Sequence, residues 1–321
     1  MGQRANYVIK NGDQLSIHYN HWRANSIAAD LYLGEKAFLR YIHECTAHNG
    51  LMDPIWMEGF VIVDIKEKQL GFWAWQFEAE TSVIRYYLSA LQNKWPGWQI
   101  MYLANYMYDA EPLLGIDYVS QQTIPEFEPV DATTIMNDPD DYAGFLFIIR
   151  ERGEIFVGEL NYILAECIIS YGEEVIPLLR SRPAVAMPAE GNTPMREELL
   201  IDVDNKYLIV NDSIFGLWET MACKWPGYKL KMGRIGHLAL LEQAGISTAG
   251  LEMPKEKVRE IFSQITAVQE SYDSGDLYDK LTKVPGLKIE AVNAHFFDAV
   301  SPRTSFIQQI IQKLRQYLKG K

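Results

Sequence analysis

Cysteine is scarce, basic residues are outnumbered, and no long apolar run occurs in this 321-residue chain. The three cysteines, Cys45, Cys167 and Cys223, are an odd, widely spaced set with no C-x-x-C pair. That excludes a disulfide framework and predicts buried free thiols. No stretch of about eighteen uncharged apolar residues is present, so no segment meets the length requirement of a membrane-spanning helix. The start, MGQRAN, leads straight into a strand pattern without the apolar core of a signal peptide, and the expectation is a cytoplasmic protein. Thirty basic against forty-two acidic side chains leave a net charge of −12. Such a field repels phosphate backbones and anionic membrane surfaces, which argues against nucleic acid and membrane as partners, and it steers a basic protein partner inward.

Chemical signatures are missing as well. There is no G-x-x-x-x-G-K-[ST], no G-x-G-x-x-G and no G-x-S-x-G in a strand-turn-helix context, and Gly2 rather than Ser, Thr or Cys follows Met1. No cofactor is expected. Only acid-base chemistry assembled from scattered Asp, Glu and Arg would leave no local trace.

What the sequence does carry is a repeat. Lys94-Trp95-Pro96-Gly97-Trp98 returns as Lys224-Trp225-Pro226-Gly227-Tyr228, an offset of 130 (224 − 94). The apolar positions Ile84, Leu88, Leu91 and Trp95 match Ile214, Trp218, Met221 and Trp225, and Leu114-Gly115-Ile116 matches Ala244-Gly245-Ile246, all at the same offset. Further upstream the offset becomes 138, pairing Ile62-Val63-Asp64, Lys68 and Leu70 with Leu200-Ile201-Asp202, Lys206 and Leu208. Tyr32-Leu33-Gly34-Glu35 pairs with Ser170-Tyr171-Gly172-Glu173 in that register, and Tyr7-Val8-Ile9 matches Phe147-Ile148-Ile149 loosely. The change of offset places an insertion in the first copy at 71–81, the stretch GFWAWQFEAET.

Periodicity within one copy reads as two strands around Asn11-Gly12, a helix over 34–45, strands over 60–65 and 69–75, a helix ending at Trp95, and a strand from Trp98. Pro96-Gly97 stops the second helix because proline has no amide donor and glycine tolerates chain reversal. The predicted fold is α+β: two tandem pseudo-repeat units of about ββ-α-ββ-α-β, with mixed, mainly antiparallel sheets packed by helices, plus a C-terminal helical segment. The expected boundaries are 1–120, a linker at 121–142, 143–250 and 251–321. In the last segment Val258, Ile261, Phe262 and Ile265 form one helical stripe and Phe306, Ile310, Ile311, Leu314 and Leu318 another. Two proline-bearing loops stand out, 121–142 and 181–196.

The densest run of functional side chains is His18-Tyr19-Asn20-His21-Trp22-Arg23. Strand alternation puts Ser16, His18, Asn20 and Trp22 on one face, where a groove lined by His18, Asn20, Trp22 and Arg23 could serve a hydrolase with His18 as acid or base. The competing reading is packing at a strand end. His43-Glu44-Cys45-Thr46-Ala47-His48 has one residue too many for H-E-x-x-H. Side chains at i and i+5 lie about 140° apart around a helix and cannot share an ion, so no metal site is expected. His237 and His295 read as isolated structural residues. Trp95 and Trp225 read as core anchors. In the insertion, Trp73 and Trp75 with Glu78 and Glu80 form a candidate partner-binding patch together with Trp22, against the alternative of a longer edge strand.

The opening MGQRANYVI, then HYNHWRAN, DLYLG, LMDPIWMEGFVIVD and KWPGW with LLGI, resemble an uncharacterised bacterial family with an R-A-N start, an H-W-x-A-N segment and a W-P-G-W motif. The resemblance covers the first unit well and the second only through KWPGY. Its general look is similar to immunity-type and accessory proteins of bacterial toxin systems, which implies a toxin-like protein partner and supplies no catalytic residues. The expected function is therefore a cytoplasmic protein-binding chain with an acidic interaction surface, with a hydrolase as the alternative.

Overall fold

A computed structural model describes residues 3–53, 56–77, 80–117, 143–161, 165–191, 197–211, 217–232 and 236–267. The loop 121–142 and the second C-terminal stripe lie outside the described residues. The fold is mixed α+β with two sheets. Unit one runs β1 (Ala5–Asn11), β2 (Gln14–Asn20), α1 (Ile27–Tyr32), α2 (Glu35–Glu44), β3 (Thr46–His48), β4 (Gly59–Asp64), β5 (Gln69–Ala74), α3 (Thr81–Gln92), β6 (Gln99–Tyr102) and α4 (Met107–Leu114). Unit two follows with β7 (Ala143–Glu151), β8 (Glu154–Asn161), α5 (Ala165–Tyr171), α6 (Val175–Arg180), β9 (Glu197–Asp202), β10 (Tyr207–Val210), α7 (Leu217–Met221), β11 (Lys229–Met232) and α8 (His237–Gln243), and α9 (Lys255–Thr266) comes last.

The sheets have one topology. Sheet one is ordered β3-β2-β1-β4-β5-β6, and sheet two, taken from its other end, β8-β7-β9-β10-β11. Each begins with an antiparallel hairpin whose first strand pairs in parallel with the next strand, which pairs antiparallel with the following one, which pairs in parallel with the last. Helices cover both faces, so the inner strands need no polar side: β4 is buried at all six positions.

Two departures from the sequence pattern have local causes. The helix read over 34–45 is α2, and each unit adds a short helix before it, α1 or α5, set off by Gly34 (φ 90°) and Gly172 (φ 97°) in the left-handed region. A Cβ there would lie 3.2 Å from Lys94 O and 3.0 Å from Lys224 O, respectively. Unit one also carries an extra edge strand. At Cys45 the backbone turns extended (φ −74°, ψ 158°), and Thr46–His48 pair with Ile17–Tyr19 of β2. His43 and His48 therefore stand on different elements.

The repeated lysine-tryptophan segments anchor both units in the same way. Trp95 and Trp225 are buried, and their indole N–H groups donate to Leu31 O (2.9 Å) and Ile169 O (2.8 Å). Next to them Lys68 lies over the Trp98 ring at 4.7 Å and pairs with Glu35, as Lys206 lies over Tyr228 at 4.3 Å and pairs with Glu173. A carbonyl partner inside the core satisfies the one polar atom of a large apolar side chain.

After unit two the chain returns to unit one. Met253 and Val258 are buried in the unit-one core, and the Phe262 ring meets Tyr86 at 5.0 Å and Tyr32 at 5.3 Å. Of the predicted stripe, Val258, Ile261, Phe262 and Ile265 all pack there.

Candidate functional site

The His18 run does not line an open groove. His18 and Asn20 are buried, and their face of β2 is covered by α2: His18 contacts Ser16 Oγ at 2.8 Å and Cys45 O at 3.5 Å, and Asn20 donates to Tyr41 Oη at 3.4 Å. Burial pulls the His18 pKa below its ordinary value, although the Cys45 carbonyl opposes this. Arg23 pairs with buried Asp30 at 2.5 Å and stacks 5.3 Å from the Tyr41 ring. Cys45 is buried, which pushes its thiol up to about 11 and makes it a poor nucleophile. The network holds α1 and α2 against the sheet. A hydrolase would need substrate to reach a base that α2 covers.

The inserted aromatic segment is also packed inward, which corrects the expectation for Trp73. Its ring is buried and stacks on Phe60 at 4.7 Å with an 18° tilt, while Phe72 and Phe77 are buried in the opposite core. A strand between two covered faces sends alternate side chains into two interiors, so neither set reaches solvent. The Trp75 side chain and Glu78 lie outside the described residues.

Glu80 does face a partner surface, and that surface is unit two. The first turn of α3 meets the first turn of α8, and each unit caps the other's helix. Glu190, from the loop after α6, accepts the Ser82 amide at 3.0 Å and the Ser82 hydroxyl, and also takes the Met253 amide at 3.2 Å. Thr81 Oγ1 accepts the Ala239 amide at 3.2 Å. Two positive helix ends converge here, which favours carboxylates between them. Gly236 (φ 80°) allows the approach, since a Cβ would come within 2.6 Å of Thr81 Oγ1. Behind the contact Glu198 holds His237 Nδ1 at 3.1 Å, His237 Nε2 meets Pro188 O at 3.0 Å, and Asn211 accepts the Gly236 amide at 3.3 Å. Glu190, Glu198 and His237 are each no more than 3% exposed. Burial opposes a charged His237, but the hydrogen bond and charge of Glu198, with Pro188 O and Glu190, outweigh it and raise its pKa.

His237 is thus buried, as an isolated structural histidine would be, but it has a carboxylate partner that sequence spacing did not disclose. The repeat register contained the signal. At offset 138 Glu198 stands opposite Phe60, the strand pairing carries that register on to Trp73 and Asn211 and so moves the start of the inserted stretch from 71 to beyond 73, and at offset 130 His237 stands opposite Met107. Three apolar positions of one unit are polar in the other.

One aromatic cluster remains at the surface of unit one. Trp56 is 57% exposed, with the Arg4 guanidinium 5.1 Å from its ring centroid. The Arg4 amide donates to Glu58, Gln3 bridges to half-buried Trp22, the His21 ring lies 4.7 Å from that of Trp22, and the Tyr19 hydroxyl contacts His21 Nδ1 at 2.7 Å. Among the described residues no group of three or more His, Cys, Asp or Glu is placed to hold a metal ion, and no helix is long and apolar enough to cross a membrane. Comparison with protein-family models, with curated proteins and with solved structures found no match.

Proposed function

We propose that this chain is a cytoplasmic protein-binding protein of the immunity or accessory kind, and that it captures a basic, toxin-like protein partner through unit one. The exposed Trp56 with Arg4 above its ring carries the reading. Tryptophan, tyrosine and arginine dominate binding energy at protein interfaces, and this cluster gathers all three with Trp22, one of the residues that the sequence nominated. The net charge of −12 supports a basic partner by long-range steering. Of the other nominated residues, Trp73 and Glu80 serve the interior and the junction instead.

The test uses the wild-type chain and a Trp22→Ala/Trp56→Ala chain as baits at low and moderate salt, with recovered proteins identified by mass spectrometry and their affinities titrated. A stoichiometric, salt-sensitive basic partner whose Kd weakens at least roughly tenfold in the variant is expected. Equal affinity for both baits would remove this surface from the account.

A further inference from the structure

We propose that the junction between the two units is a clasp gated by proton uptake at Glu80, shut while Glu80 is neutral and loosened once Glu80 carries charge beside Glu190. The proposal stands apart from the binding reading and rests on the geometry of the two helix ends. Glu190 is fully used, with the Ser82 amide, the Ser82 hydroxyl and the Met253 amide all donating to it. Those three donors belong to unit one's helix and to the segment leading into α9, so this single carboxylate fastens three parts of the chain. Glu80 immediately precedes α3, and its Oε2 is buried with no hydrogen-bond partner among the described residues. A carboxylate oxygen in that position is tolerable when protonated and costly when charged.

Four charged groups from other parts of the chain bear on the titration of Glu80. Glu190 comes from the loop, Glu198 from β9, His237 from α8 and Lys257 from α9. Burial first, and then the charge of Glu190, lift the Glu80 carboxyl from 4.5 to about 7, with Glu198 adding to the rise and Lys257 and His237 opposing it. The Lys257 ammonium is itself tied to Gly191 O at 2.7 Å. The sign follows from a folded pKa above the ordinary one. The stabilisation is complete below about 4.5 and is lost as pH rises through about 7. His237 acts in the same direction, because its pKa is also raised: its positive charge disappears as pH rises, and with it an attraction that offsets Glu80. Unit two's Glu198 and His237 have no polar counterparts in unit one, where Phe60 and Met107 are buried in the equivalent places. The device is specific to the junction.

Hydrogen exchange at the Ser82, Ala239 and Met253 amides reads the clasp directly, since these amides donate across or beside the junction. With the chemical exchange rate corrected for pH, protection in the wild type should fall by roughly tenfold between about pH 6 and about pH 8. Strand amides of β1 and β7 should hold constant. In Glu80→Gln, which cannot ionise there, the fall should shrink to the part that His237 contributes, and Glu80→Gln/His237→Gln should keep the three amides protected across that range. Unchanged protection in the wild type overturns the proposal, and so does a Glu80→Gln chain whose protection falls as in the wild type. Should that variant fail to fold, His237→Gln, which leaves Glu80 as the titrating group, should still show the fall, and a flat profile there overturns the proposal.

Discussion

At three equivalent positions the two units make opposite choices. Unit one has Phe60, Trp73 and Met107, with the Phe60 and Trp73 rings stacked and Trp73 edge-on to Tyr106 at 5.5 Å. Unit two has Glu198, Asn211 and His237 in the same places, joined by hydrogen bonds and reaching toward unit one through Gly236. The surroundings are alike: the same strand order, a helix over the same face, a positive-φ residue before that helix (Tyr106 at 53°, Gly236 at 80°). A face that only has to fill space is apolar. The face that meets another helix N-terminus is polar, because the orphan amides and aligned dipoles of two helices need acceptors.

The largest effect should come from the shared anchors. Trp95→Ala and Trp225→Ala each remove a buried indole and its carbonyl hydrogen bond, and each should cost about 3–5 kcal/mol in urea unfolding. A cost below about 1 kcal/mol for either would break the equivalence of the two units. Next comes the buried pair. Glu198→Ala leaves His237 without its carboxylate and should cost about 3 kcal/mol, whereas Glu198→Phe/His237→Met, which writes unit one's pattern into unit two, should cost less than that single change. A double variant that is worse by the full sum would show that the junction, and not the pair alone, requires these charges.

The two histidines sharpen the contrast through pH. His18 in unit one has a lowered pKa, so its contribution is present above about 6.5 and is lost as pH falls through the folded value. His237 has a raised pKa, so its contribution is present below about 6.5 and is lost as pH rises through the folded value. Unfolding midpoints against pH for His18→Gln and His237→Gln should therefore diverge from the wild type on opposite sides of neutrality. Deviations on the same side would contradict the assigned partners. The smallest effect belongs to Arg85 and Glu242, an ion pair between α3 and α8 with both side chains substantially exposed. Arg85→Ala should change stability by about 1 kcal/mol or less, and salt should erase the difference.

Much of the fold was legible because repetition is a one-dimensional signal. The KWPGW and KWPGY segments, the offsets of 130 and 138 and the Asn11-Gly12 turn led to two units of one topology, and the apolar stripe from Val258 to Ile265 led to a packed helix. The close approach at Gly34 and the edge strand Thr46–His48 were not legible, since each depends on what approaches in space: Lys94 O at Gly34, and the open side of β2 at Thr46. The candidate site was read less well. The run from His18 to Arg23 is dense in functional side chains, but α2 covers His18 and Asn20 and Asp30 takes Arg23. In the other direction, Trp56, the most exposed large hydrophobic side chain among the described residues, was not singled out as a site residue.

The sequence by itself determined the composition, the charge of −12, the two-unit plan and the residues that anchor each core, since these follow from local pattern and from comparison of the chain with itself. Tertiary structure alone decided which polar residues become partners. Ser82 and Glu190 are 108 residues apart, and Thr81 and Ala239 are 158 apart, so no spacing rule relates them. They meet because two helix N-termini, each short of acceptors for its first amides, are brought end to end and supply one another's caps.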